Sequence, residues 1–313
     1  MAEPGGSGRC PAKPDRVAAW NTSRCVIASP MRFRVSSELF YRVEGPTTLL
    51  FALKGIETEG QKILRESLHV DPEVPVDAFS VGEGMNRFTR IQTSFSGQLQ
   101  VRYEADIETS IRLEDGHELL PHGPGDLSPE AITYLFPSRY CQSDRLRNQA
   151  FDLFGHLIEP YPLATAICDW IFEHVAYRQG SSNEKSSAVD TLEERGGVCR
   201  DFAHLAIAFC RSMNLPARYV TCYSHLLYPP DFHAVIEVFL AGTWYVFDPT
   251  RLAPLNGLVR IATGRDAADA AVCTIFGGPL LKSMQVICNP LDETFTPINW
   301  DTLRQSHQAI ALL

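Results

Sequence analysis

The spacing of apolar residues changes once along the chain, and this change divides it into two parts. From residue 31 to about residue 113, apolar and polar positions alternate, and prolines and glycines interrupt the pattern every few residues. The alternation predicts strands at Leu39–Val43, Thr47–Lys54, Arg87–Phe95 and Gln98–Ile111. Short strands with frequent turns and no strong helix indicate a small β-sandwich-like domain over residues 31–115.

After a linker rich in proline and glycine at residues 116–128, the apolar spacing becomes that of helices. It predicts helices at Ser143–Phe154, Leu163–Tyr177 and Val189–Arg195. Another helix follows Cys199 and should end near Asn214, because Leu215-Pro216 cannot continue it. The second domain is therefore mainly helical where it begins.

Two strands are predicted beyond this helix, at Asp231–Leu240 and Thr243–Asp248, with Ala241-Gly242 as the turn between them. If the strands pair directly beside the turn, His233 and Asp248 become diagonal neighbours on one face of the sheet. A shift of one residue would put them on opposite faces. Further strands are predicted at Leu258–Ala262 and Ser283–Cys288, and the second domain is expected to cover residues 129–290.

The two ends of the chain carry little pattern. Residues 1–30 are rich in glycine, proline and arginine and show no apolar period, so we expect a disordered extension and take Met31 as the true start. Residues 291–313 contain Pro297 and little regular spacing, and they predict a loosely ordered tail.

Composition limits the classes of function. The 313 residues carry a formal net charge of −9, which argues against nucleic acid or an anionic membrane as a partner. No apolar run reaches the length of a membrane span, and the first thirty residues lack the apolar stretch of a signal peptide. Oligomeric state does not follow from these features.

Cysteine usage points to a reducing compartment. Nine cysteines are present, with no CxxC motif and no alternating Cys/His spacing, so we expect no zinc site. Unpaired thiols in this number suit the cytoplasm, which is the predicted location. No nucleotide-binding or HExxH motif occurs either, and we predict neither a metal nor a cofactor.

Cys199 is the first candidate for chemistry, because it follows Gly196-Gly197 at a predicted helix start. Exposed backbone N–H groups and the helix dipole favour an anion there, hence a thiolate. Most cysteines at helix starts are inert, however. His233 and Asp248 strengthen the case, since a nearby histidine and acid would provide a base and an orienting group. A buried histidine held by a structural aspartate is the competing interpretation.

Residues 191–250 closely resemble the transglutaminase-like superfamily, which includes bacterial cysteine proteases and acyltransferases. The motifs that carry the resemblance are Thr191-Leu192-Glu193, Gly197-Val198-Cys199-Arg200-Asp201-Phe202-Ala203-His204-Leu205, Asn214-Leu215-Pro216-Ala217-Arg218-Tyr219-Val220, Asp231-Phe232-His233-Ala234 and Phe247-Asp248-Pro249-Thr250. Weaker similarity covers residues 31–290. Two positions depart from the family pattern, because Cys222 stands where glycine is usual and Val235 where tryptophan is common.

The resemblance implies an α+β fold of the papain/transglutaminase-like type, in which a helix that carries the cysteine packs on an antiparallel sheet. It also implies roles: Cys199 as nucleophile, His233 as base and Asp248 as the acid that orients it. The expected reaction is formation of a thioacyl intermediate on a glutamine-type or peptide amide, followed by transfer to a primary amine or to water. The expected partner is accordingly a peptide or protein substrate.

Three alternatives stay open. A cysteine peptidase or amidase would share every step up to the acyl-enzyme. An arylamine N-acetyltransferase shares an Arg-Gly-Gly-x-Cys motif, although Phe247-Asp248-Pro249 favours the transglutaminase-like branch. A catalytically silent peptide-binding module could keep the fold, but an intact Cys, His and Asp set speaks against it. The Cys199 backbone N–H is expected to form part of an oxyanion hole, whose second donor the sequence does not identify.

Overall fold

The computed structural model describes residues 26–82, 86–121 and 123–313. Its strands are β1 (Val26–Ile27), β2 (Met31–Glu44), β3 (Thr47–Phe51), β4 (Gln61–Asp71), β5 (Val76–Val81), β6 (Asn86–Thr93), β7 (Ser96–Thr109), β8 (Ile111–Asp115), β9 (Ala176–Tyr177), β10 (Gly196–Gly197), β11 (Ala217–Ser224), β12 (His233–Leu240), β13 (Thr243–Phe247), β14 (Leu258–Gly264), β15 (Cys273–Phe276), β16 (Leu280–Pro290) and β17 (Gln308–Leu312). Its helices are α1 (Pro129–Ile132), α2 (Ser143–Phe154), α3 (Pro160–His174), α4 (Ala188–Glu194), α5 (Cys199–Ser212), α6 (Ala267–Ala270) and α7 (Trp300–Ser306).

Two antiparallel four-stranded sheets form a β-sandwich in the N-terminal half. Their strand orders are β15-β3-β6-β5 and β16-β2-β7-β4. Side chains alternate between buried and more exposed along β2 and β7, as expected for strands with one face on a core. Tyr41 of one sheet packs against Phe51 of the other, with ring centroids 5.9 Å apart. The predicted sandwich-like domain is confirmed.

The boundary predicted for the second domain at residue 290 is wrong. β15 pairs with β3 and β16 pairs with β2, so residues 273–290 return to the sandwich and form its edge strands. Without them, β2 and β3 would each present an open edge with unpaired backbone groups. This return pairs residues more than two hundred positions apart, and no local pattern shows it.

Both predicted disordered ends also need correction. Val26 and Ile27 pair with β8, and the Ala28 N–H donates to the Ile111 carbonyl at 3.0 Å, so residues 26–30 are ordered; residues 1–25 of the predicted extension lie outside the described residues. At the other end, β17 pairs with the opposite edge of β8. Trp300 and Ile310 there are 5% and 1% exposed, so the predicted loose tail is wrong.

The second half is built around α5, which packs against α2, α3 and α4 and against the antiparallel sheet β13-β12-β11-β14. Phe202, Leu205 and Phe209 on this helix are almost fully buried, as their spacing of three and four predicts. A cysteine-bearing helix on an antiparallel sheet is the expected papain/transglutaminase-like arrangement, which is therefore confirmed. No helix in the described ranges is both long enough and apolar enough to span a membrane.

Two side-chain amides of the β-sandwich form hydrogen bonds with β14, the edge strand of the sheet β13-β12-β11-β14. Gln61 donates to the Arg260 carbonyl and accepts from its N–H, both at 2.8 Å. Asn86 makes the same reciprocal pair with Thr263, at 2.7 and 2.9 Å. Each amide thus imitates the neighbouring strand that β14 lacks on that edge. The two halves are consequently held in one fixed arrangement at buried polar contacts.

Candidate active site

Cys199 occupies the first position of α5, as predicted, and is only partly buried. The helix start is fixed by Asp201, whose carboxylate accepts from the Val198 N–H at 2.9 Å and from the Ser182 hydroxyl at 3.0 Å. Capping of this kind satisfies a backbone donor that the helix leaves free. Asp201 thus has a structural role at the start of α5. The loop that contains Ser182 is thereby attached to the helix start.

Residue 197 must be a glycine because its backbone lies very close to the side chain of Asp201. A Cβ atom built at this position would lie 2.6 Å from the Cβ of Asp201, closer than two carbon atoms can pack. The absence of a side chain at residue 197 therefore leaves room for the carboxylate of Asp201 to accept from the Val198 N–H. Gly197 of the Gly-Gly pair therefore shapes the helix start.

The register of β12 and β13 is the predicted one, with Leu240 paired to Thr243 and Ile236 paired to Phe247. His233 and Asp248 consequently meet, and Nε2 of the imidazole lies 2.9 Å from Oδ2 of the carboxylate. Both side chains are 1% exposed or less. The sequence-predicted base and acid are thus brought together in the interior.

The imidazole of His233 also interacts with the thiol of Cys199. Its Nδ1 makes no hydrogen bond that meets the usual geometric limits with the described residues. The three predicted site residues therefore lie together: the imidazole contacts the carboxylate and is acted on by the thiol. The other carboxylate oxygen, Oδ1, accepts from the Thr250 N–H at 2.8 Å and from its hydroxyl at 2.6 Å.

The surroundings of His233 and Asp248 determine which of their protonation states is stable. Burial alone would lower the pKa of His233, but the negative charge and hydrogen bond of Asp248 and the contact with Cys199 outweigh it and raise the pKa to about 10. Burial would raise the pKa of Asp248, yet His233 and Thr250 hold it below its ordinary value. At neutral pH the pair is accordingly an imidazolium and a carboxylate.

Tyr177 is a functional candidate that sequence reasoning missed. Its hydroxyl interacts with both the thiol and the backbone N–H of Cys199. The predicted helix Leu163–Tyr177 included it, whereas α3 ends at His174 and Val175 is already extended. Tyr177 then lies on β9, paired with Gly197 of β10, which brings it beside Cys199. A strand of two residues leaves no period in the sequence.

The remaining residues near the motif have structural contacts. His204, on the inner face of α5, accepts from the Ala267 N–H at 3.2 Å and stacks on Tyr140 with ring centroids 5.0 Å apart. Cys222 and Val235, the two departures from the family pattern, are completely buried. They therefore contact the core and not a substrate that approaches from solvent.

No group of three or more His, Cys, Asp or Glu side chains in the described ranges is placed to hold a metal ion. Cys199 and Cys273 are the partly buried thiols there, whereas Cys141, Cys168, Cys210, Cys222 and Cys288 are buried. Burial raises the pKa of Cys273 to about 12. Among the described thiols, only Cys199 combines solvent access with a histidine contact.

Comparison with known proteins agrees with this geometry. Residues 149–249 match the family model of the transglutaminase-like superfamily, and residues 31–123 match that of the bacterial transglutaminase N-terminal domain. The crystal structure of a "putative cysteine protease" from Cytophaga hutchinsonii is 45% identical, with a TM-score of 0.90, and the match covers 93% of this chain and 100% of that one. The chain belongs to the transglutaminase-like superfamily.

Sequence relatives include uncharacterized proteins of two mycobacteria. One from Mycobacterium leprae is 33% identical over 122 residues, which cover 36% of this chain and 43% of that protein. One from Mycobacterium tuberculosis is 32% identical over 164 residues, 47% of this chain and 51% of that protein. The matches thus span about half the length of these curated relatives.

Proposed function

We propose that the protein is a cysteine-dependent acyl-transfer enzyme that forms a thioacyl intermediate on Cys199 from a peptide or protein amide. The supporting observation is the buried His233–Asp248 pair, whose imidazole faces a thiol at the start of a helix. A purely structural histidine would not need a partly exposed cysteine as its second partner. Membership of the superfamily supports the same conclusion.

In the proposed mechanism, the thiolate of Cys199 pairs with the imidazolium of His233 and attacks the amide carbonyl carbon. A carbon–sulfur bond forms, and the electron pair of the carbonyl moves to its oxygen. When that pair returns, the carbon–nitrogen bond breaks and His233 gives its proton to the leaving amine. The neutral imidazole then takes a proton from an amine or a water molecule that attacks the thioester carbon. A carbon–nitrogen or carbon–oxygen bond forms, the carbon–sulfur bond breaks, and the Cys199 thiolate leaves beside the imidazolium.

Tyr177 provides the second oxyanion donor in this proposal, beside the Cys199 N–H. Burial and, after it, the Cys199 thiol raise the pKa of Tyr177, so its hydroxyl lies within electrostatic reach of the sulfur. In the proposed reaction, negative charge moves from this sulfur to the carbonyl oxygen as the bond forms. A hydroxyl within reach of both the sulfur and the carbonyl oxygen can donate a hydrogen bond to each in turn. Tyr177→Phe should therefore lower kcat by about 10²- to 10³-fold while alkylation of Cys199 by iodoacetamide continues. Unchanged kcat in this variant would exclude the role.

Trapping of the intermediate tests the function. The protein would be incubated with glutamine-containing peptides, with and without a primary amine, and its intact mass and peptide map recorded. We expect an acyl adduct on Cys199, no adduct in Cys199→Ala, and an unchanged adduct in Cys273→Ala, which removes the other partly buried thiol among the described residues. An adduct that persists in Cys199→Ala would overturn the proposal.

The same experiment separates transfer from hydrolysis. Faster release of ammonia in the presence of amine, with a mass gain on the peptide, would identify a transamidase. A rate indifferent to amine would identify a peptidase or amidase that uses the same intermediate. No adduct with any peptide and no selective alkylation of Cys199 would favour the silent peptide-binding module.

We further propose a cytoplasmic location. The seven described cysteines are all free, a state that a reducing compartment maintains. Fractionation of cells that express the full chain, followed by detection with an antibody, tests this. Recovery of the protein outside the cytoplasmic fraction would contradict it.

A further inference from the structure

Asp169 on α3 binds the turn at residues 248–251, which begins with the acid of the candidate site. Its Oδ1 accepts a charge-assisted hydrogen bond from the guanidinium of Arg251. The two side chains are largely buried, with 16% of Arg251 and 14% of Asp169 exposed. An ion pair that is removed from water is screened less than one on the surface. The turn is therefore attached to α3 through Arg251.

The carboxylate of Asp169 is also held by groups other than Arg251. The indole N–H of Trp300 donates to Oδ1 at 3.3 Å, and the guanidinium of Arg304 pairs with Oδ2 at 3.1 Å. Trp300 packs in turn against Phe247 of β13, with ring centroids 5.9 Å apart. Asp169 is consequently fixed on its own account and provides an anchor for the turn.

The backbone of Arg251 is in the left-handed region, with a φ of 56°. Residues with a side chain adopt this conformation rarely, because it brings Cβ close to the backbone. The Arg251 N–H closes the turn by donating to the Asp248 carbonyl at 3.2 Å. The guanidinium lies over the Phe172 ring, with Cζ 4.0 Å from the ring centroid, in a cation–π contact. The contacts of this side chain thus stabilise an unfavourable backbone conformation.

The same turn carries both donors that hold the Asp248 carboxylate. Thr250, the residue before Arg251, donates to Oδ1 from its N–H at 2.8 Å and from its hydroxyl at 2.6 Å. The other oxygen, Oδ2, lies 2.9 Å from Nε2 of His233. A change in the backbone at Arg251 would move Thr250 and turn the carboxylate away from the imidazole. Hydrogen bonds weaken steeply when their angle changes, so a small movement is enough.

We infer that Arg251 and Asp169 form a positioning pair for the candidate site, because their contact holds the turn that orients the Asp248 carboxylate. The pair acts on the thiol only through this carboxylate and the imidazole beside it. The inference rests on the proposed function, since the orientation of the imidazole affects the reaction only if it serves Cys199. Loss of the pair should destabilise the imidazolium and lower the fraction of Cys199 that is thiolate at neutral pH.

The pH dependence of Cys199 alkylation tests the pair in the full chain without a known substrate. Second-order rates with iodoacetamide would be measured by mass spectrometry at pH 6.5 and 9.5. We expect Arg251→Gln to react about 3- to 10-fold more slowly than the wild type at pH 6.5, the effect of one weakened hydrogen bond. At pH 9.5 the two rates should nearly agree, because a thiol ionises there without an imidazolium. A general loss of structure would not produce this dependence on pH.

Two further variants test the route through the carboxylate. Asp169→Asn weakens the same contact from the other side and should slow alkylation at pH 6.5 as Arg251→Gln does. In the Asp248→Asn background, Arg251→Gln should cause no further slowing, because the charge through which Arg251 acts is already absent. A further slowing as large as in the wild-type background would overturn the positioning role.

Arg87→Gln is the matched control. It breaks another partly buried ion pair, with Glu66 in the β-sandwich, and should leave Cys199 alkylation unchanged at both pH values. Equal slowing in this control, or wild-type rates in both Arg251→Gln and Asp169→Asn, would overturn the inference. Alkylation of wild-type Cys199 at pH 6.5 no faster than in the urea-unfolded chain would instead contradict the activated thiol of the proposed function.

Discussion

At the scale of single residues, the two oxygens of Asp248 have different partners, and this division decides which tautomer His233 adopts. Oδ1 accepts two hydrogen bonds from Thr250, and Oδ2 contacts Nε2 of His233. The Thr250 donors hold the carboxylate from one side. The proton of the neutral imidazole must therefore sit on Nε2, which leaves Nδ1, on the other side of the ring, without a proton in that form.

Asp248→Asn should reverse this arrangement. The amide oxygen would stay with the two Thr250 donors, so the amide NH₂ would face Nε2 and force the imidazole proton onto Nδ1. A wrongly placed proton costs up to about 10⁴-fold in kcat in sites of this kind, and we expect a loss of at least about 10²-fold here. Thr250→Ser keeps both donors and is the control, with activity close to wild type. Steady-state kinetics that show equal losses in the two variants would contradict the explanation.

The raised pKa of His233 predicts how stability varies with pH. The folded state keeps its proton up to a pH of about 10, whereas an unfolded histidine loses it near 6.5. Between these values the folded state binds more protons, so the stabilisation present below pH 6.5 is lost as pH rises towards 10. The free energy of unfolding, measured in urea at pH 7, 8.5 and 10, should fall.

His233→Gln provides the comparison for that measurement, since it removes the titrating group. Its free energy of unfolding should depend less on pH between pH 7 and 10 than that of the wild type. The other titrating groups are present in both proteins and contribute equally to each. A slope in His233→Gln as steep as in the wild type would show that another group causes the loss.

At the scale of elements, the start of α5 depends on the absence of a side chain at residue 197. Gly197→Ala would drive a methyl group into Asp201, at 2.6 Å from its Cβ, and displace the carboxylate that caps the helix. We expect a loss of about 1–3 kcal/mol in the free energy of unfolding together with slower iodoacetamide modification of Cys199. Gly125→Ala is the control, because nothing lies within 4 Å of its added Cβ.

Denaturation curves and labelling rates check this prediction together. A stable Gly197→Ala protein with a normal rate of Cys199 labelling would show that the cap tolerates the methyl group. Loss of stability in both glycine variants would instead indicate a general effect of alanine.

The same elements show what the sequence could and could not predict. The meeting of His233 and Asp248 was predictable, because the two-residue turn Ala241-Gly242 fixes the register over a few residues. The helix that carries Cys199 was predictable from its apolar spacing. Tyr177 was not, since its position comes from a two-residue pairing with Gly197 that competes with a helical pattern.

Exposure on both faces explains one further missed strand, and nonlocal pairing explains another. β5 is exposed along its whole length, so it shows no alternation between core and solvent. β17 is short and its burial depends on β8, nearly two hundred positions earlier in the chain. Elements whose stability comes from distant partners leave weak local signals.

At the scale of the whole molecule, the C-terminal residues complete the core of both halves. Ile310 on β17 is 1% exposed, so Ile310→Ala should leave a cavity and lower the free energy of unfolding by about 2–4 kcal/mol. Ile158→Ala makes the same change at a residue that is 84% exposed, and we expect a difference within about 0.5 kcal/mol. Thermal or urea unfolding measures both. Equal and small effects would mean that β17 does not contribute to stability.

The return of β15 and β16 to the sandwich has a consequence for synthesis on the ribosome. β2 and β3 emerge first, but their edge partners lie at 273–290 and leave the exit tunnel only after the entire second half has been made. Until then the nascent sandwich carries two open edges, which are templates for pairing with other chains. The N-terminal domain therefore cannot finish folding before Cys199, His233 and Asp248 have all been translated, and a chain that ends before residue 273 would keep both edges open.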